Sequence, residues 1–151
     1  MNKIVVGTNV LVSAFTCGNG ASREVLRRIL TGHVRPVIST PLFAENEDVL
    51  SRPETQARCP LSEVEQVALF DAFIVKTQMI EVYFSWRPNL RDEGDNLVVE
   101  LAVAASPCNI VTHNLRDFAN AELKFPSVNT LSLHDALPIS QRAARLRFWS
   151  R

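Results

Sequence analysis

Four short stretches of this chain place oxygen-bearing side chains next to apolar runs. Thr8-Asn9 follow Ile4-Val5-Val6 and Gly7. Glu45 lies between Leu42-Phe43 and Val49-Leu50, and Asp92, Glu93 and Asp95 precede Leu97-Val98. Thr112, His113, Asn114 and Asp117 follow Ile110-Val111. Acids brought together repel and raise each other's pKa. A hard divalent cation such as Mg2+ or Mn2+ reverses that penalty and prefers oxygen ligands. Bound there, it activates water and neutralises charge on a phosphodiester. Other chemistries find less support. His113 has no nucleophile partner in the sequence, and neither Ser13 nor any Cys completes a triad. No Gly-rich phosphate loop is present, which weighs against a nucleotide-binding or receiver-like module.

The elements that carry these residues alternate. Ile4–Val6 reads as a first strand, followed by an apolar helix start at Val10-Leu11-Val12. Ser22–Leu30 reads as a helix with Ser22 as N-cap and Gly32 as its stop. Val34–Ser39 reads as a second strand. A helix then opens with Thr40 as cap and Pro41 at its first position, and ends at Arg52-Pro53. Ser62 and Glu65 form a capping-box signature for a helix to Lys76. Met79–Phe84 alternates as a third strand, Arg87–Gly94 is a polar loop, and Asp95 stands where an N-cap belongs. Asn109–Thr112, Leu115–Leu123 and Ser127–Leu131 read as strand, helix and strand. This alternation implies right-handed crossovers and a mostly parallel sheet covered on both faces. In such sheets ligands gather beyond the carboxyl ends of the strands, where all four polar stretches fall. Read alone, Glu45 suits a surface position and Asp95 a plain cap; Asp92 and Glu93 read as solvated loop charges. Glu100 suits either the site or an exposed helix face.

At 151 residues the chain suits one domain. Its 46% hydrophobic and 21% charged residues are ordinary for a soluble protein. No apolar run is long enough to cross a bilayer or to form a signal-peptide core, so no membrane association is expected. Cys17, Cys59 and Cys108 are widely spaced and odd in number, which fits reduced thiols in a cytoplasmic protein. The formal net charge is zero. Residues 131–151 hold four Arg and one Asp; the other 12 basic and 15 acidic residues leave a net charge of −3. Nucleic-acid contact would therefore need local basic patches.

The four stretches, in their order over residues 4–130, resemble the PIN-domain nucleases. The resemblance rests on Val6-Gly7-Thr8-Asn9-Val10, Thr40-Pro41-Leu42 through Glu45, Arg91 through Asn96, and Thr112 through Phe118. It implies a single α/β domain over residues 1–131, three-layer α/β/α, with a mostly parallel central sheet of about five strands. It implies a metal-dependent endoribonuclease, the toxin of a bacterial toxin–antitoxin pair. Glu45, Asp95 and Asp117 would hold Mg2+ or Mn2+, supported by Thr8, Asn9, Thr112 and Asn114. Single-stranded RNA as substrate, a cognate antitoxin and a homodimer come with the resemblance. Arg23, Arg27, Arg52 and Arg91 are candidates for contact with the RNA backbone.

The sequence departs from the family at Gly7, where the pattern has a metal-binding Asp. A catalytic protein with impaired metal binding and a non-catalytic module binding antitoxin or RNA are both compatible with that change. Leu131 through Ile139 also resemble the in-frame translation of a short-read sequencing adaptor over nine consecutive residues. Residues 132–151 are accordingly expected to form a non-native tail, and His134, Asp135 and its Arg residues carry no functional assignment.

Overall fold

A computed structural model describes residues 3–17, 20–83, 92–113, 115, 118 and 128–132. Its sheet has five strands: β1 (Lys3–Val6), β2 (Arg35–Ile38), β3 (Gln78–Met79), β4 (Cys108–Val111) and β5 (Val128–Leu131). The order is β3-β2-β1-β4-β5, and every pairing is parallel. The chain first builds outward from β1 to β3, then returns to place β4 on the opposite side of β1. Strand order thus reverses between β1 and β4, so a crevice is expected beyond the ends of these two strands.

Six helices are described: α1 (Thr8–Thr16), α2 (Ala21–Leu30), α3 (Thr40–Ser51), α4 (Pro53–Arg58), α5 (Glu63–Lys76) and α6 (Glu93–Ala104). Successive strand residues point to opposite faces, and the core divides accordingly. Ile4, Val6 and Val111 pack with α1, α2 and Phe73 of α5. Val5, Val37 and Ile110 pack with Leu42 of α3 and with Val98, Leu101 and Ala102 of α6. The result is the three-layer α/β/α arrangement. None of the described helices is long and apolar enough to cross a membrane.

Several boundaries differ from the sequence expectation for physical reasons. Gly20, with φ +153°, caps α2, and Ser22 is buried one residue inside the helix. Ser39 rather than Thr40 caps α3, its hydroxyl accepting from the Leu42 N–H at 3.3 Å. Pro53 does not only end α3: it occupies the first position of α4, where its missing N–H costs nothing. The third strand is only two residues long. β3 is an edge strand whose sole described partner, β2, stops at Ile38, and Ile80 N–H donates to the Ile38 carbonyl as the last rung at 2.8 Å. The capping box at Ser62 and Glu65 forms as expected. The expected helix at 115–123 falls largely outside the described residues, as does the tail beyond Ser132.

Candidate metal centre

Gly7 ends β1 and caps α1. Its N–H donates to the Val111 carbonyl at 2.9 Å, tying the carboxyl end of β1 to that of β4. It is buried, not on the wall of an open cleft. With φ −61° and ψ 146°, its backbone suits any L-residue. A Cβ there would lie 3.3 Å from the Val111 carbonyl oxygen and 3.7 Å from Thr112 Oγ1. A side chain at position 7 would therefore emerge beside Thr112, which is itself buried.

Thr8 opens α1 and turns its hydroxyl toward α3. Its Oγ1 lies 3.0 Å from Asn46 Oδ1 and 3.5 Å from Glu45 Oε2. Asn46 is only 1% exposed, so its amide is a buried polar group held by a helix one strand away. Sequence reasoning passed over Asn46, because a polar residue beside Glu45 and Glu47 looks like part of a solvated helix face. By contrast, Asn9 is exposed and makes no side-chain hydrogen bond among the described residues.

The Glu45 carboxylate reaches across to the start of α6. It lies against Gly94, where a Cβ would come within 2.9 Å of both its Cδ and Oε2. Only a residue without a side chain leaves room for it. Burial pushes the Glu45 carboxyl above the ordinary carboxylate range, and the nearby Asp92 charge pushes it further. The Thr8 hydroxyl and the Arg52 charge oppose this, while Asp48 adds to it.

The acid at the start of α6 is thus Asp92 as well as Asp95. Asp92, not Asp95, is the N-cap, its Oδ1 accepting from the Asp95 N–H at 3.2 Å. Asp95 is half-buried in the first turn. One and two turns along, Asn96 and Glu100 are buried on α6, Glu100 at 5% exposure. Of the two readings of Glu100, the exposed one is excluded. His113 is exposed, with its Nε2 3.1 Å from Ser22 Oγ. Asn114 and Asp117 lie outside the described residues. Among the described residues, no three Asp, Glu, His or Cys side chains form one cation-sized group.

The donors that are described suit a hard cation. Glu45, with Asp92 near enough to raise its pKa and the Thr8 hydroxyl beside it, offers oxygen atoms only. A divalent ion would relieve the repulsion that burial and Asp92 impose on Glu45.

Fold and site together define a parallel α/β protein in which Glu45, with Asp92 nearby, meets Thr8 at the carboxyl end of β1. A family profile described as PIN domain matches residues 3–116, and the chain belongs to that family. Among solved structures, the chain is similar to VapBC2 from Rickettsia felis, crystallised bound to a DNA fragment from its promoter. The two share 17% identity with a TM-score of 0.58, over 86% of this chain and 98% of that one. At that identity the likeness shows the fold alone. No curated protein matches the chain.

Proposed function

We propose that the chain is a metal-dependent endoribonuclease, built as the toxin of a toxin–antitoxin pair, with activity reduced by Gly7. The observation that supports this most directly is Glu45: a carboxylate placed by Thr8 and Gly94 at the carboxyl edge of the sheet, with its pKa raised by burial and by Asp92. Membership of the PIN domain family supports the same reading. So does the fold shared with VapBC2, from which we also take a small antitoxin as partner.

In this reading Glu45, Asp95 and Asp117 hold Mg2+ or Mn2+, and Asp92 joins them. When bound, the ion supplies water activation and charge neutralisation at a phosphodiester of single-stranded RNA. Thr8 orients the Glu45 carboxylate, Thr112 lies beside Gly7, and Asn114 keeps the supporting role that the resemblance implies. The cytoplasm, where RNA is the substrate, and a homodimer complete the proposal.

The absence of a side chain at Gly7 favours a second reading, a non-catalytic module that binds antitoxin or RNA. A Mn2+ titration combined with a single-stranded RNA cleavage assay separates the two. Saturable Mn2+ binding and slow metal-dependent cleavage, both lost on Glu45→Gln and on Asp95→Asn, are expected. Undetectable Mn2+ binding with RNA or antitoxin affinity intact would favour the non-catalytic module.

A further inference from the structure

A second opening lies at the same edge of the sheet and contains none of Glu45, Asp92 or Asp95. It is a cleft of about 390 Å³ lined by residues that include Ser13, Ser22, Arg23, Thr112, His113 and Ser132. No acid is found among its described lining residues.

Arg23 supplies a cation among the described lining residues of this cleft. Its Nε is shut off from solvent and has no hydrogen-bond partner among the described residues. The adjacent acid, Glu24, does not serve it, because Glu24 pairs with Arg27 at 2.7 Å and Arg28 at 3.1 Å. A buried donor without an acceptor is costly, more so when it carries charge. The neighbouring groups are also donors. Gly20 and Ala21 border the cleft, and no side chain caps the ten-residue helix α2 at this end. Ser22 Oγ lies 3.1 Å from His113 Nε2, and when that nitrogen carries the ring proton the hydroxyl accepts it and keeps its own proton to donate. An uncapped helix start beside a guanidinium whose Nε lacks an acceptor, with several hydroxyls around it, suits an anion with several acceptor oxygens.

We propose that this cleft binds a phosphate group, with Arg23 as its charged anchor and Ser22 and the first amides of α2 as neutral donors. Thr112 lines this cleft and also borders the space beside Gly7, so a strand crossing the acidic site has a place to rest a neighbouring phosphate. The phosphate comes either free in solution or within a nucleic-acid backbone. Only the second source rests on the nuclease reading.

The test uses the full chain without metal and follows the Arg23 Nε–H and His113 ring resonances by NMR. One arm titrates inorganic phosphate; the other titrates a single-stranded oligonucleotide lacking terminal phosphates. Saturable shifts at Arg23 are expected in both arms. Arg23→Met should weaken binding by about 10-fold or more, as loss of a charge-assisted hydrogen bond implies. It should also reduce the salt slope of oligonucleotide binding by about 0.7. Arg23→Lys, which keeps the charge, should fall between the two, and the wild-type shifts decide the matter if Arg23→Met does not fold. Shifts with phosphate alone would support the cleft and assign it to the free anion. No shift at Arg23 with either ligand would overturn the proposal. Shifts without RNA cleavage under any metal would remove the nuclease reading and leave this site standing.

Discussion

The Glu45 carboxylate rests on Gly94, in the space that any side chain at position 94 would fill. Gly94→Ala separates two effects that usually move together. Alanine is favoured over glycine in a helix by about 1 kcal/mol, and Gly94 lies in the first turn of α6. The group in the way is the far end of a flexible side chain, so Glu45 should swing aside while the helix stays. Gly94→Ala is expected to melt no lower than wild type, yet to bind Mn2+ more weakly. In a Glu45→Ala background the added alanine should cost no further affinity, as a double-mutant cycle would show. Equal Mn2+ binding by Gly94→Ala and wild type would remove Glu45 from the metal centre.

The raised pKa of Glu45 has a sign for stability. In the folded state this carboxyl holds its proton to higher pH than in the unfolded chain, whose value is near 4.5. As pH rises through the interval between the two, the folded state binds more protons and stability falls. The cost is fully present above the folded-state pKa. In EDTA, Glu45→Gln should therefore be at least as stable as wild type at neutral pH. The difference should shrink as pH falls below the unfolded value, and vanish towards about pH 3, where Glu45 is neutral in both states. Added Mn2+ should raise the melting temperature of wild type by mass action and that of Glu45→Gln much less. Parallel melting curves for the two proteins across that pH range would show that Glu45 is not strained by ionisation.

Thr8 is expected to matter for stability as well as for the site. Its hydroxyl is the described partner of Asn46 Oδ1, and Asn46 is fully buried. Thr8→Val keeps the shape but leaves that acceptor unsatisfied, at a cost of about 1–3 kcal/mol. Thr8→Ser should recover most of it. Urea unfolding of the three proteins measures this directly, and an unchanged midpoint in Thr8→Val would mean that Asn46 finds another donor.

The sequence made the scaffold legible because its signals are local. The capping box at Ser62, the β-branched run at Ile4 and the apolar periodicity after Asn96 each identify an element from a few neighbouring residues. The misses are all tertiary or degenerate. Asp92 and Asp95 stand three residues apart before the same helix, and either spacing suits an N-cap; only the backbone shows that Asp92 fills it. Nothing near Gly94 reveals that Glu45, on another helix, needs the space above it. Met79–Phe84 has the alternation of a strand, but an edge strand cannot outlast its partner, and β2 ends at Ile38. Pro53 is both a stop and a start, and the sequence reading used only the first meaning. Asp117 and Asn114, the closing pair of the resemblance, lie outside the described residues, so their assignment still rests on the sequence.

Gly7 offers the sharpest test, because it stands where the resemblance places a metal-binding Asp. Its backbone angles need no glycine, and a Cβ would meet the Val111 carbonyl oxygen at 3.3 Å, a contact that a shift of a few tenths of an ångström relieves. Asp is also a favoured helix N-cap, and α1 has no side-chain cap at present. Replacing a glycine cap by Asp gains only a few tenths of a kcal/mol, so Gly7→Asp should fold with nearly unchanged stability. Its carboxylate would emerge beside Thr112 at the junction of β1 and β4, on the same edge as Glu45. A further ligand and a further unit of negative charge both favour a divalent ion. The gain in Mn2+ affinity should at least match the roughly 10–100-fold that outer-shell defects cost in metal sites. Metal-dependent cleavage of single-stranded RNA should rise with it. A folded Gly7→Asp variant with wild-type Mn2+ affinity would mean that position 7 does not face the ion. The acids of α3 and α6 would then have to form the site without β1.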